Sequence, residues 1–476
     1  MTDLPTFEPY VLTPFDHATS PIHLSPLFVF KPNDQSHAIA VLKTGVQHLI
    51  NLLPFLAGNV TPSNRVKGKE NALEATPPTR ECLQQYPLLK VKHHYKPVQS
   101  MHDVGTDEDS SPERFVPIPY ESAGEDVSPI FRVQANVMLD GIIIAFSVHH
   151  MALDAVGSIS IFYSLAACCR NPGAPVNLLT TSPLKEEKCR QMIFDSLSSI
   201  NTKYIVCEDD SVHDWEPMED IGSQPSVCDR ILLDDRKVSQ LKESCLGVLR
   251  NQHNGQTIKL SNTTVVVAAL WLSLLRARVS PSSQSPSKES CLVMVTDCRS
   301  RLDKKLPGSY MGNALVTKEV YGCMDSVIAS IGPSNYPSSR VGHLDLRDIL
   351  RLANFAAAIQ NGIRSVTNEY ICNALASLVE QDDWTPNPRL GDLMVSVIRP
   401  FDIHGIDFGP SLGPMKDLDM LESRFPSAGW VVPPFERAED RVWKLILSME
   451  QAVIEKMRND DIMKCLGLSQ VTVSKL

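Results

Sequence analysis

Two periods of apolar and polar residues run along this chain. In HAIAVLKTGVQHLINLLPFLAG (37–58) the apolar positions Leu42, Val46, Leu49 and Leu53 share one helical face, and Gly58 closes it. FRVQANVMLDGIIIAFSV (131–148) changes to a strand pattern, two β-rich runs meeting at the hairpin pair Asp140-Gly141. Beyond Asp154 the stretch VGSISIFYSLAACCR turns helical again. NTTVVVAALWLSLLRARV (262–279) predicts a helix capped by Asn262 or Thr263, with basic residues in its last turn. SCLVMVTDCRSRL predicts a buried strand running into charge, and LMVSVIRPFDIHGIDFG a strand leading to a Gly/Pro-rich turn. RVWKLILSMEQAVIEKMRNDD predicts a strand followed by an amphipathic helix. Strands and helices mix without strict βαβ spacing, which predicts mixed α/β layers. Three polar stretches, 61–81, 102–115 and 250–257, are expected to be loops.

Length and charge narrow the class. A chain of 476 residues is long for one core and calls for two or three domains. A net charge of −10 argues against nucleic acid or an anionic membrane as partner. The twelve cysteines are scattered, with no C-x-x-C pair, which favours reduced thiols over disulfides or zinc. MTDLPTFEPYVLTPFDH carries acids and prolines where a signal peptide needs a basic start and an apolar run. No apolar stretch approaches the ~18 residues of a membrane helix. A cytoplasmic, monomeric enzyme is expected.

Candidate chemistry begins at IIIAFSVHHMALDAVGS (142–158), where an apolar strand ends in His149 and His150, with Asp154 four residues on. Alternation lets only one of the two imidazoles face a given cavity. A neutral histidine there suits proton abstraction near neutral pH. A pair of structural histidines and a metal site are the other readings, although no further ligand cluster lies nearby. No G-x-S-x-G elbow supports a serine hydrolase. A second segment, DFGPSLGP (407–414), invites a kinase reading. That reading fails, because the chain has no Gly-rich loop, V-A-I-K strand or H-R-D loop; alone, Asp407 reads as a turn former.

Together, HH-x-x-x-D and, some 250 residues later, D-F-G-x-x-x-G-x-P resemble the BAHD acyltransferases, and within them the fungal, trichothecene acetyltransferase-like branch. TDCRSRLDKKLPGSYMGNA is similar to the family's D-x-R-S-R-L…P…Y-x-G-N segment, here Asp297, Arg299, Arg301, Tyr310, Gly312 and Asn313. AALWLSLLRAR, with Trp271 and Arg278, and LLPFLAG resemble two further family elements. The chain departs from the pattern in places. Ala155 follows the motif aspartate where glycine is usual, with Gly157 two further on. Pro410 and Ser411 replace Trp-Gly, Ser396 falls on a family Thr, and Ile398 on a family Trp.

The resemblance implies two chloramphenicol-acetyltransferase-like domains with a central channel between them, here 1–190 and 226–476, joined by a crossover segment, 191–225. It implies transfer of an acyl group from a coenzyme A thioester to a small-molecule alcohol, with no permanently bound cofactor and no metal. His150 would be the base. Asp154 would shape the loop by pairing with an arginine, Arg299 first and Arg301 second. His149, Gly157, Asp407 and Gly409 would support the loop and the domain packing. Ser396 would donate to the oxyanion or contact substrate together with Ile398. Two alternatives share the fold: a condensation-type domain acting on a carrier-bound thioester, and a non-catalytic binding protein.

Overall fold

The computed structural model describes residues 4–99, 112–118, 128–171, 181–198, 226–252, 259–278, 289–323, 344–386, 390–399, 401–420, 425–432 and 442–467. Among the described residues, two six-stranded sheets and one four-stranded sheet carry the fold. The first large sheet is built on the hairpin Phe131–Val137 and Ile142–His149, whose register pairs Val137 with Ile142. Pro26–Phe30 and the short strand His23–Leu24 flank Ile142–His149 antiparallel, and Leu89–His93 lies parallel to Phe131–Val137. The second runs in the order Ser226–Asp234, Val442–Glu450, Ala428–Val432, Leu393–Val397, Ser290–Asp297 and Leu315–Gly322. Mixed parallel and antiparallel pairing makes this a mixed α/β fold.

Helices cover each sheet as the apolar stripes demand. Gln35–Leu52 buries Leu42, Val46 and Leu49, and a short 3₁₀ turn, Pro54–Ala57, follows before Gly58. It packs beside Ala155–Arg170, so closely that a Cβ on Gly45 would overlap the Sγ of Cys169. On the second sheet lies Asn262–Arg278, buried almost all round, with Trp271 edge-on to Phe355 at 4.5 Å and its indole N–H donating to Ser290 Oγ at 2.9 Å. Its N-terminus differs from the expectation at Asn262 or Thr263. Ser261 Oγ accepts the N–H of Thr264 at 3.0 Å, which puts the cap one residue earlier.

Alternation along Leu393–Val397 splits its side chains between two cores. Leu393 and Val395 face the second half's own helices, whereas Met394 packs with Ala428, Trp430, Val432 and Ile446 into the core of the first half. The halves therefore share one hydrophobic interior. They also exchange a strand: Met415–Met420 pairs antiparallel with Pro26–Phe30 at the edge of the first sheet. Buried Asp419 holds that strand to the second sheet, 2.8 Å from Arg230 and 3.4 Å from Lys444. Helix Pro183–Ser198 runs through residue 190, where the first half was expected to end.

The expected loop at 61–81 differs, and so does the start of 250–257, since residues 250–252 end the helix Asp235–Gln252. Within 61–81 a hairpin forms, Asn59–Pro62 against Leu73–Thr76, because strand pairing satisfies a backbone that the polar side chains leave unmarked. Of 102–115 only a 3₁₀ turn at Pro112–Phe115 is described, and 253–257 lies outside the described residues. Among the described residues no helix is long and apolar enough to cross a membrane.

Candidate active site

The strand Ile142–His149 is buried along its whole length and delivers two histidines to the junction of the halves. His149 closes the strand, its N–H donating to Ile130 O at 2.9 Å, and its ring stands edge-on to His23 with centroids 5.0 Å apart. It is buried, whereas His150 is only half-buried. The chain turns directly after. His150 N–H donates to Ile22 O at 2.8 Å, and Ala152 and Leu153 N–H both donate back to His149 O.

Asp154 ends the turn and starts the helix Ala155–Arg170. Its Oδ1 accepts the N–H of Gly157 at 3.0 Å, an N-cap that places the carboxylate inside the loop rather than beside the imidazole. Arg299 Nη2 lies 2.8 Å from its Oδ2, and Ala314 N–H donates to the same oxygen at 3.1 Å. Arg299 also donates to Asp297 at 2.6 Å, to Tyr310 O and to Gly312 O, so one guanidinium joins the loop to the Tyr310–Asn313 segment. Burial opposes charge on Arg299, but Asp154 and Asp297 outweigh it and hold its pKa above the usual value.

Gly157 is required by proximity. A Cβ there would overlap the carbonyl oxygen of Met311, so only glycine lets the helix lie against that segment. Asn313 completes the junction, its side-chain amide donating to His150 O at 2.8 Å.

Electrostatics favour a neutral imidazole. Burial pushes the His150 pKa down, against the opposite pull of nearby backbone carbonyls and Asp154. His149 is pushed well below the ordinary value by burial, then by His23 and His150. Among the described residues no group of three His, Cys, Asp or Glu side chains is placed to hold a metal ion.

His150, Asp154, Gly157 and Arg299 thus form one connected network, and the remaining expected site residues stand elsewhere. Arg301 donates to Ile363 O and Val366 O at 2.8 and 2.9 Å, closing the C-terminus of helix Leu346–Ser365, and makes no contact with Asp154. Asp407 is exposed; its Oδ1 accepts Gly409 N–H at 2.8 Å and its carbonyl accepts from Arg170. Gly409 holds φ +84° against the Arg170 side chain, a conformation open mainly to glycine. Phe408, between them, is buried with its ring 5.2 Å from Phe30. Ser396 lies on Leu393–Val397, paired in register with Trp430, and half-buried Ile398 packs against the shared core.

Sequence reasoning missed Asp16, Trp430 and His23. Asp16 carried a signal, since T-P-x-D with proline at the first helical position is a helix-start signature. Trp430 and His23 carried none, because strand order alone brings them to Ser396 and His149.

Known proteins resemble this arrangement along the whole chain. A model of the "Transferase family" matches residues 93–329, the part that holds the histidine loop and the Arg299–Asn313 segment. Communesin N16 acyltransferase cnsK of Penicillium expansum is 28% identical, over 96% of this chain and 97% of its own. The chain is similar to the BAHD acyltransferases. Another relative, fumigaclavine B O-acetyltransferase easN of Aspergillus fumigatus, is 24% identical over 95% of this chain and 96% of its own. The fold matches TRI101 of F. sporotrichioides, whose crystal structure holds coenzyme A and T-2; the TM-score is 0.70 at 15% identity, covering 97% and 99% of the two chains. The two-domain, chloramphenicol-acetyltransferase-like fold is therefore the fold of this acyltransferase.

Proposed function

We propose that this enzyme transfers an acetyl group from acetyl-CoA to a hydroxyl of a bulky, largely apolar secondary metabolite, with His150 as general base. One observation carries the reading: a half-buried imidazole whose pKa is held down, at the junction of the two halves, on a loop pinned from both. The acceptor oxygen attacks the thioester carbonyl as its proton passes to His150. The tetrahedral oxyanion then collapses, and the thiolate of coenzyme A leaves and takes up that proton. His150 Nδ1 is buried in the loop, which leaves Nε2 to meet the hydroxyl. Such a base supplies roughly 10²–10⁴-fold in rate. The thioester is already activated, so no covalent enzyme intermediate is needed.

Asp154 does not touch substrate in this scheme. Gly157, Ala314 and Arg299 occupy its carboxylate, and it holds the loop. Ser396 is the candidate donor to the oxyanion, which is worth ~3 kcal/mol when well aimed, and Ile398 a candidate contact for the acceptor. His149, Arg301, Asp407 and Gly409 act through packing and turn geometry. The acyl carrier and acceptor meet in a central channel between the two halves. A cytoplasmic location completes the reading, and the described cysteines form no disulfide among themselves.

Relatives along the full length are acyltransferases, which disfavours the condensation-type and non-catalytic alternatives. The communesin relative is named for acylation at a nitrogen, so amines belong in the acceptor panel. The test is purified protein with acetyl-CoA and hydroxylated or amine-bearing polycyclic alkaloids and terpenoids, following thiol release and product mass. Acetyl ester formation supports the reading. Acetylation of amines alone replaces its acceptor class, and no transfer to any acceptor contradicts it.

A further inference from the structure

Asp16 reaches the histidine loop from an element outside the two motifs that hold His150 and Asp407. It lies in the short helix Pro14–His17 with 2% of its surface exposed, and its carboxylate collects four donors. Oδ2 accepts the N–H and hydroxyl of Thr13 at 2.6 and 2.8 Å; Oδ1 accepts the N–H and side-chain amide of Asn313 at 3.1 and 2.9 Å. That amide nitrogen also donates to His150 O at 2.8 Å. Two acceptors on one nitrogen fix which way the Asn313 amide faces, since its own oxygen would repel both. The next residue, Ala314, donates to Asp154. One short segment thus ties both motif residues, and Asp16 anchors it.

We propose that Asp16 is a positioning residue for acyl transfer: through Asn313 it fixes the peptide that carries His150, and with it the direction in which the imidazole meets the acceptor. The inference rests on His150 being the base. Thr13 is the N-cap of this four-residue helix, and a neutral acceptor at the position of Asp16 would also take its N–H, so a fully buried carboxylate needs another reason to be there. Four donors supply one, because only an ionised carboxylate accepts from all of them; a protonated one must turn an oxygen into a donor and give up a bond. Burial pushes the Asp16 pKa up to about 6, against the pull of its Asn313 and Thr13 donors. Tyr10, Glu186, Arg190 and Tyr310 line the small cavity beside it, His17 follows it in the chain, and His150 lies across Asn313. The network is complete above about pH 6 and incomplete below it.

Steady-state kinetics of Asp16→Asn, with acetyl-CoA and an acceptor turned over by the wild type, test this. The substitution keeps shape and exchanges acceptor sites for donors. Expected are KM values within about twofold of wild type and kcat lowered about tenfold or more, the scale of a displaced base. The acid limb of kcat should also move to lower pH, because the Asp16 ionisation is gone. Asn313→Ala should give the same kcat loss and the same shift, and it carries the test if Asp16→Asn does not fold. The double variant should lose no more than either single one. Unchanged kcat, additive losses or an effect on KM alone would overturn the inference. His150→Ala separates the two readings. An enzyme silenced by His150→Ala but indifferent to Asp16→Asn loses only this inference; one indifferent to His150→Ala loses the base assignment and this inference together.

Discussion

Arg299 Nη2 lies 2.8 Å from Asp154 Oδ2, an ion pair buried on both sides that joins the second half of the chain to the histidine loop of the first. Both residues were read from the sequence as partners, and their 145-residue separation makes the pair a tie between distant segments. Removing one member of such a pair typically costs about 3–5 kcal/mol. Asp154→Asn is expected to lower the melting temperature and the rate together. A double-mutant cycle with Arg299→Met should show coupling of about 1 kcal/mol or more. Additive effects would mean that the contact does not hold the loop.

Gly157→Ala tests how tightly the loop helix must approach its neighbour. The added methyl meets the backbone oxygen of Met311, which has no rotamer to change, so helix or segment must move. A loss of about 1–3 kcal/mol in unfolding free energy is expected, with reduced kcat, because the same segment holds His150 through Asn313. Denaturant unfolding and turnover of the purified variant check this; wild-type values in both would show that the close approach is dispensable.

The histidine pKa directions set the pH dependence. His150 is lowered from 6.5, so the imidazole stays a neutral base as pH falls to that value. Protonation of His150 should therefore cost turnover only below pH 6.5, where the Asp16 ionisation near 6 also contributes to the acid limb. Buried His149, lowered further, adds a stability term of the same sign. The unfolded chain binds the proton first, so stability present above pH 6.5 is lost as pH drops below it. His149→Gln should flatten that part of the melting-temperature profile while leaving transfer measurable. A steeper profile in the variant would reverse the sign assigned to this residue.

Ile398 bears on acceptor size. It stands where the family often carries Trp, half-buried against the core that the halves share. Trp430, buried beside Ser396 on the adjacent strand, already fills part of that face. Ile398→Trp should weaken turnover of the largest acceptors and spare small ones, since an added ring removes cavity volume. Equal effects across a size series would place Ile398 outside the acceptor pocket.

Much of this was legible because it is local. The period change at residue 131, the Asp140-Gly141 turn and the helix after Asp154 follow from patterns a few residues long. The Met415–Met420 strand was not, since nothing in MKDLDM announces that it pairs with Pro26–Phe30 almost four hundred residues away. Its anchor, Asp419 between Arg230 and Lys444, reads in sequence as ordinary surface charge. Arg301 illustrates the converse. It lies two residues from Arg299 in one motif, yet the turn after Asp297 sends it to a helix end while Arg299 enters the loop. The hairpin within 61–81 was hidden because its pairing is made by backbone, with polar side chains that read as loop.

The central claim is that His150 takes the acceptor's proton, and single-turnover transfer from radiolabelled acetyl-CoA tests it most directly. Wild type, His150→Ala and His149→Ala are compared at saturating acceptor, with folding checked by circular dichroism. The account predicts transfer lost by roughly 10²-fold or more in His150→Ala, with acetyl-CoA still bound, and largely retained in His149→Ala. A folded His150→Ala enzyme that transfers acetyl at the wild-type rate would contradict it.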